Sequence, residues 1–273
     1  MCELFAVNSA RPARVRLRFA EFALHGAHIH GGNPDGWGAA YFDGADAHVL
    51  REPMPAVQSA FVRVLEDHDF HSTLVLAHVR RASRGPVALA NTQPFSRELA
   101  GRRHAFAHNG DLPDIQTRWP LGPGCWRPIG QTDSEHVFCQ LLRMLAPLWQ
   151  REIPSVEARL DVMATFAEGL RPIGPANFLY TDGDVLFAHA HRRRQADGVV
   201  RTPGLHLLRR KAAGSHVQEA AGMQVRSSHA GDHPLTMLAS VPLGGGNWEA
   251  LAEGEIVALR EGRLIARRSG GLA

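Results

Sequence analysis

The chain has 273 residues, 44% hydrophobic and 21% charged, which excludes a disordered tail, a collagen-like repeat and a small disulfide scaffold. Thirty basic side chains against 27 acidic ones leave a net charge of only +3. The arginine pairs are scattered with few aromatics between them, so no nucleic-acid partner is expected. No apolar run approaches the roughly 18–20 residues that span a bilayer, and the opening MCELFAVNSARPARVR lacks the apolar stretch of an export signal. A cytoplasmic protein without a membrane partner is expected, folded as one domain over 1–273 because no linker interrupts it.

Cys2 to Val7 reads as a buried strand, followed by a short apolar-periodic helix from Leu17 to Leu24. After the loop Gly31–Gly36 comes a strand from Trp37 to Phe42, with a hairpin at Asp43-Gly44 leading to His48–Arg51. A helix at Ser59–Glu66 precedes the strands Ser72–His78 and His104–His108. The middle of the chain changes period. Val137, Leu141 and Leu145, then Leu160, Met163, Phe166 and Leu170, recur at helical spacing and predict helices over Asp133–Leu145 and Val156–Leu170. Thr132 with Glu135 forms the pattern of a capping box at the first of these. Strands return at Asn177–Thr181, Val185–His189, Leu205–Leu208, Thr236–Ser240, Glu255–Leu259 and Leu264–Ala266. Strands, then two long helices, then hairpin-linked strands favour an α+β fold with mostly antiparallel sheets.

Three cysteines, Cys2, Cys125 and Cys139, have neither the spacing of a zinc site nor the even count of a disulfide framework. Cys139 falls in an apolar helical stretch and reads as core. His25, His28 and His30 suggest metal ligation, but no acid or cysteine stands at ligand spacing beside them. No metal and no cofactor are expected. Cys2 differs from the other two by its position behind the initiator methionine. With Met1 removed, one residue would carry both a thiol and an α-amine, whose ordinary pKa of about 7.7–8.0 suits it as the base for that thiol.

Four segments frame this cysteine: Met1–Ala6, Leu76-Ala-His-Val-Arg80-Arg-Ala-Ser83-Arg-Gly85, Phe106-Ala-His-Asn109-Gly110-Asp-Leu112 and Gln131-Thr-Asp133-Ser-Glu135. In this order they resemble the glutaminase domain of the class II glutamine amidotransferases, an N-terminal-nucleophile hydrolase family. Among its stand-alone members the likeness is to the γ-glutamyl amidohydrolase of ergothioneine biosynthesis. Asn91-Thr-Gln-Pro-Phe95, Gly36-Trp-Gly38 and Ala239-Ser-Val-Pro-Leu243 also fit. The resemblance implies a four-layer αββα sandwich with mostly antiparallel sheets. It implies Cys2 as the nucleophile and Asn109 with the Gly110 backbone N–H as the oxyanion donors. Arg80, Ser83 and Asp133 would bind a small-molecule substrate, glutamine or a γ-glutamyl amide.

Each of these positions also has a physical rationale. Arg80 can hold an α-carboxylate through a planar fork that lysine cannot copy. Asp133 can pair with an α-ammonium, although an acid at a helix start is also favoured by the helix dipole. Asn109-Gly110 can equally be a hairpin turn. The synthase-type enzymes read Arg-Trp-Ala-Thr-His-Gly where this chain has Arg80-Arg81-Ala82-Ser83-Arg84-Gly85. Arg81 and Arg84 therefore predict a wider, more cationic entrance that admits leaving groups larger than ammonia. The matched region takes up nearly the whole chain, so ammonia delivery would need a separate synthase subunit. A non-catalytic binding protein on the same fold is the remaining alternative.

Overall fold

The structure, a computed structural model, describes residues 2–17, 22, 33–68, 70–150, 152–213, 217–220, 223–227 and 232–270. The first part of the chain forms β1 (Glu3–Leu17), β2 (Gly36–Asp43), β3 (Asp46–Glu52), α1 (Ala60–Asp67), β4 (His71–Arg80), β5 (Phe95–Leu99) and β6 (Arg102–Gly110). A short helix α2 (Ile115–Arg118) then leads to the long helices α3 (Asp133–Leu145) and α4 (Val156–Leu170). Next come β7 (Ala176–Thr181), β8 (Leu186–His189), a ribbon of β9 (Arg193–Arg194) with β10 (Val200–Arg201), and β11 (His206–Ala213). The chain continues through β12 (Val217–Ala220), β13 (Met223–Ser227), β14 (Asp232–Ala239), β15 (Glu249–Ala250), β16 (Ile256–Arg260) and β17 (Arg263–Arg268).

Two sheets result. The first runs β15-β11-β14-β1-β4-β2-β3, with β13 paired to β1 and β12 to β13; the second runs β17-β16-β8-β7-β6-β5. Every strand pairing among the described residues is antiparallel. Side-chain alternation along the strands builds three apolar layers. Leu4, Ala6, Leu74, Leu76, Ala105, Ala107 and Leu179 meet between the sheets. Phe5, Val7, Val75, Ala77 and Val79 face the opposite way, onto Val62 and Leu65 of α1. Phe106, Phe178, Tyr180 and Phe187 pack against Phe138, Leu142, Met163 and Phe166 of the long helices. Helix, sheet, sheet and helix thus stack in four layers, the αββα sandwich with antiparallel sheets that the sequence predicts.

Three local expectations change. The strand predicted over Cys2–Val7 extends to Leu17, with a register shift between Asn8 and Ala13. Pro12 falls in that irregular stretch, where the lost N–H costs no ladder bond. Leu17 therefore closes a strand, and apart from Phe22 the rest of the helix predicted to Leu24 lies outside the described residues, as do His25, His28 and His30. At α3 only half of the capping box forms. Thr132 Oγ1 accepts from the Glu135 N–H at 3.2 Å, but the Glu135 carboxylate accepts from Gly130 N–H at 2.7 Å and pairs with Arg97 at 2.5 Å. A guanidinium outcompetes the backbone N–H that the carboxylate would otherwise cap.

Candidate active site

The alternation that builds the middle layer also aims the polar groups at its end. Cys2 shares parity with Leu4 and Ala6, Arg80 with Leu74 and Leu76, and Asn109 with Ala105 and Ala107. β1 and β4 pair with Glu3 opposite Val79, which brings Cys2 level with Arg80. Asn109 approaches from the second sheet, where it lies opposite Asn177.

Cys2 Sγ lies 3.3 Å from both the backbone N and the O of Arg81. Burial pushes its thiol pKa up, and the Arg81 N–H, the positive amino terminus and Arg80 only partly oppose this. Asn109, almost wholly buried, donates from Nδ2 to the Cys2 carbonyl oxygen at 2.6 Å. One amide N–H so fixes the cysteine backbone, and the amide has a second to give. Asn109 and Gly110 close β6 rather than forming the hairpin turn they could have made. Gly110 is obligatory there: a Cβ would stand 1.9 Å from Pro175 O and 2.7 Å from His108 Nε2.

The two residues expected to grip substrate are already bonded within the protein. Arg80 Nη2 donates to the carbonyls of Arg84 at 2.9 Å and Gly85 at 3.2 Å, and Nη1 to Pro86 at 3.2 Å. The buried Asp133 accepts from the backbone N–H of Leu112 at 2.9 Å and of Ser134 at 2.8 Å. Ser83 is exposed at the rim. Arg84 pairs with Asp111 at 2.5 Å. Its charge is therefore neutralised at the entrance it was expected to make cationic.

Cys2 borders two spaces. One, of about 30 Å³, is lined by Arg80, Gln93, His108, Thr132, Asp133 and Ser134. The other, of about 410 Å³, is lined by Ala82, Asp111, Pro175, Val200 and the run Arg192–Arg194. Cys2, Arg81, Ser83 and Gly110 border both. Among the described residues no cluster of three or more His, Cys, Asp or Glu side chains could hold a metal ion. No helix among them is long and apolar enough to cross a membrane.

A buried network behind Cys2 went unseen in the sequence. Arg193 Nη2 donates to Glu3 Oε1 at 2.8 Å, and Arg193 Nη1 to the Ser240 carbonyl at 2.9 Å. Ser240 Oγ donates to Glu3 Oε2 and accepts from the Leu4 N–H at 2.8 Å. The residue after Cys2 is thus clamped by partners 190 and 237 positions away. The one available signal was a glutamate inside an otherwise apolar strand, since a buried charge calls for a partner.

A four-layer αββα sandwich of antiparallel sheets, with the Cys2 thiol on its central strand at the end of the inter-sheet layer, is the fold of the N-terminal-nucleophile hydrolases. The model of the family "Glutamine amidotransferases class-II" matches residues 1–270, and the chain belongs to that family of enzymes. It is 31% identical over 259 residues to "Putative glutamine amidotransferase YafJ" of Escherichia coli (strain K12), covering 93% of this chain and 96% of that one. The crystal structure of a "predicted glutamine amidotransferase from Pseudomonas aeruginosa PA01" superposes with a TM-score of 0.72 at 29% identity, over 97% of this chain and 100% of that one. Glutamine phosphoribosylpyrophosphate amidotransferase from B. subtilis shares the fold, with a TM-score of 0.59 at 14% identity, over 100% of this chain and 50% of that one.

Proposed function

We propose that the protein, acting as one catalytic unit over 1–273, hydrolyses a γ-glutamyl amide through a glutamyl thioester on Cys2. The observation that carries this is the convergence of Cys2, Asn109 and Gly110 from two sheets, with Arg80 and Asp133 in the space beside them. Once Met1 is removed, the freed α-amine takes the Cys2 proton as sulfur bonds to the γ-carbonyl carbon. The oxyanion is met by the Asn109 amide and the Gly110 N–H, donors of a kind typically worth ~10²–10³ in kcat. The C–N bond breaks and the amine leaves with the proton held by the α-ammonium. Water then adds to the thioester, the C–S bond breaks, and glutamate is released. Arg80 receives the α-carboxylate and Asp133 the α-ammonium, each exchanging bonds it now makes to backbone, while Ser83 adds a hydrogen bond. Three free cysteines suit a reducing cytoplasm.

The test is intact-mass analysis after incubation with a diazo-ketone analogue of glutamine, alongside glutamate release from glutamine. One adduct on Cys2 of the chain lacking Met1, and no release by Cys2→Ala, are expected. Near-normal release by a folded Cys2→Ala would overturn the assignment.

A further inference from the structure

We infer that the buried segment from Asn91 to Gln93 is a positioning element, in which Asn91 sets the spacing of Arg80 and Asp133 and Gln93 aims the oxyanion donors. This rests on the amidohydrolase reading above. Both side chains are buried, and each spends its amide on a segment that leads directly into the site.

Asn91 joins two segments that are far apart in the chain. Its Nδ2 donates to the Pro86 carbonyl at 3.0 Å, the same carbonyl that accepts from Arg80 Nη1 at 3.2 Å. Nδ2 also donates to Gln131 Oε1 at 3.1 Å, and Oδ1 accepts from the Gln131 N–H at 2.8 Å. Gln131 directly precedes Thr132, the cap of α3, and Asp133 follows that cap. One amide therefore ties the loop that holds the guanidinium to the segment that carries the carboxylate. A buried amide with its hydrogen bonds made resists displacement, because any shift leaves polar atoms unpaired. Packing is equally close, since a Cβ at Gly130 would stand 2.2 Å from Asn91 Oδ1.

Gln93 does the same work for β6. Its Oε1 accepts from the His108 N–H at 2.6 Å, and its Nε2 donates to the His108 carbonyl at 3.1 Å. The pairing of β5 with β6 begins at Phe95 opposite Phe106. At His108 the Gln93 amide stands in for the missing strand, making both bonds of a ladder pair. The residues so held lead straight into Asn109 and Gly110.

The experiment measures kcat and KM for glutamate release from glutamine by the chain lacking Met1 and by its variants. Asn91→Ala should raise KM by at least about tenfold and change kcat by less than about threefold, because misplaced grips weaken ground-state and transition-state binding alike. Gln93→Met should do the reverse, lowering kcat roughly ten- to hundredfold with KM little changed, because oxyanion donors act in the transition state. Gln131→Ala, at an exposed position, removes one of the bonds to Asn91. It should raise KM roughly two- to tenfold, and this arm decides the matter if Asn91→Ala does not fold. Iodoacetamide has neither an α-carboxylate nor an α-ammonium, so it should alkylate Cys2 at an unchanged rate in Asn91→Ala and Gln131→Ala. Losses spread equally over kcat and KM, a reversed split, or an unchanged KM in Gln131→Ala would overturn the inference. Glutamate release by the unaltered protein would still uphold the amidohydrolase reading. Absence of that release together with no diazo-ketone adduct on Cys2 would overturn both.

Discussion

The two sides of Cys2 are built on opposite terms. On the side of about 30 Å³, the two charged groups expected to grip substrate are already bonded to backbone: Arg80 to three carbonyls, Asp133 to two N–H groups. On the side of about 410 Å³, Arg192 and Arg194 are exposed and keep room and field to offer, while Arg193 between them is held by buried Glu3. A ligand entering the small side must replace internal hydrogen bonds one for one, an exchange that is nearly neutral when the match is complete and costly for each bond left unmade. Selectivity there follows from geometry. A ligand on the large side is sorted by charge and bulk, which discriminates more weakly and falls with salt. Under the proposed function, the glutamyl head is recognised beside Arg80 and Asp133.

The strongest way to break this contrast is on the small side. Asp133→Ala removes the acceptor for two backbone N–H groups and the proposed partner of an ammonium. A fall in kcat/KM of at least ~100-fold is expected for every γ-glutamyl compound alike, with Arg80→Lys acting in the same direction mainly through KM. Steady-state kinetics on two substrates with different leaving groups checks it; a loss confined to one leaving group would merge the two sides into one. Next in size is the clamp behind Cys2. Arg193→Met leaves Glu3 buried without its cation and should lower stability by about 3–5 kcal/mol, read from urea unfolding. The double substitution Arg193→Met with Glu3→Gln should recover part of that loss. No recovery would mean that Arg193 acts by packing alone.

A third effect is expected from acid. His78, wholly buried beside Arg80, is held down to about 3, first by burial and then by the Arg80 and His108 charges. His189, equally buried, is also near 3, chiefly through burial. A histidine whose folded pKa lies below its unfolded value of about 6.5 takes up its proton only in the unfolded chain between those two values. Its stability is therefore intact above about pH 6.5 and is withdrawn as pH falls, at up to about 1.4 kcal/mol per pH unit for each such group. The melting temperature should drop between pH 6.5 and 4, and His78→Leu should flatten that slope by about one proton. An unchanged slope would show that His78 finds a partner for its charge.

The α+β order of strands and helices was legible because period 2 and period 3.6 segregate cleanly along this chain, whereas the four-layer sandwich followed from the family resemblance. Val137, Leu141 and Leu145 mark α3 without ambiguity, and its observed span agrees with the predicted one. What stayed hidden are pairings between distant positions. Nothing around Glu3 says that Arg193 and Ser240 close on it, since ion pairs carry no local period. Arg84 read as a free cation because its partner Asp111 comes 27 residues later. The ribbon of β9 and β10 has two residues per strand, too few for alternation to register. Cys2, Asn109, Gly110 and Asp133 were nameable from their motifs, but the bonds Arg80 and Asp133 make to backbone belong to loop conformation, which side-chain patterns do not encode.

The clamp on Glu3 also has a consequence for the order of events during synthesis. β1 is sandwiched in its sheet between β4 and β14, and its lock includes Ser240. At ~5–20 residues per second, a ribosome needs roughly 12–50 s after making Glu3 to reach that serine. Through that interval the leading strand has neither its late neighbour nor its lock. Once residue 240 has emerged, β14 can pair with β1 and Ser240 can close on Glu3. The strand that leads the chain is thus among the last to gain its full set of neighbours, and a chain that ends before Ser240 would leave the buried Glu3 without that partner.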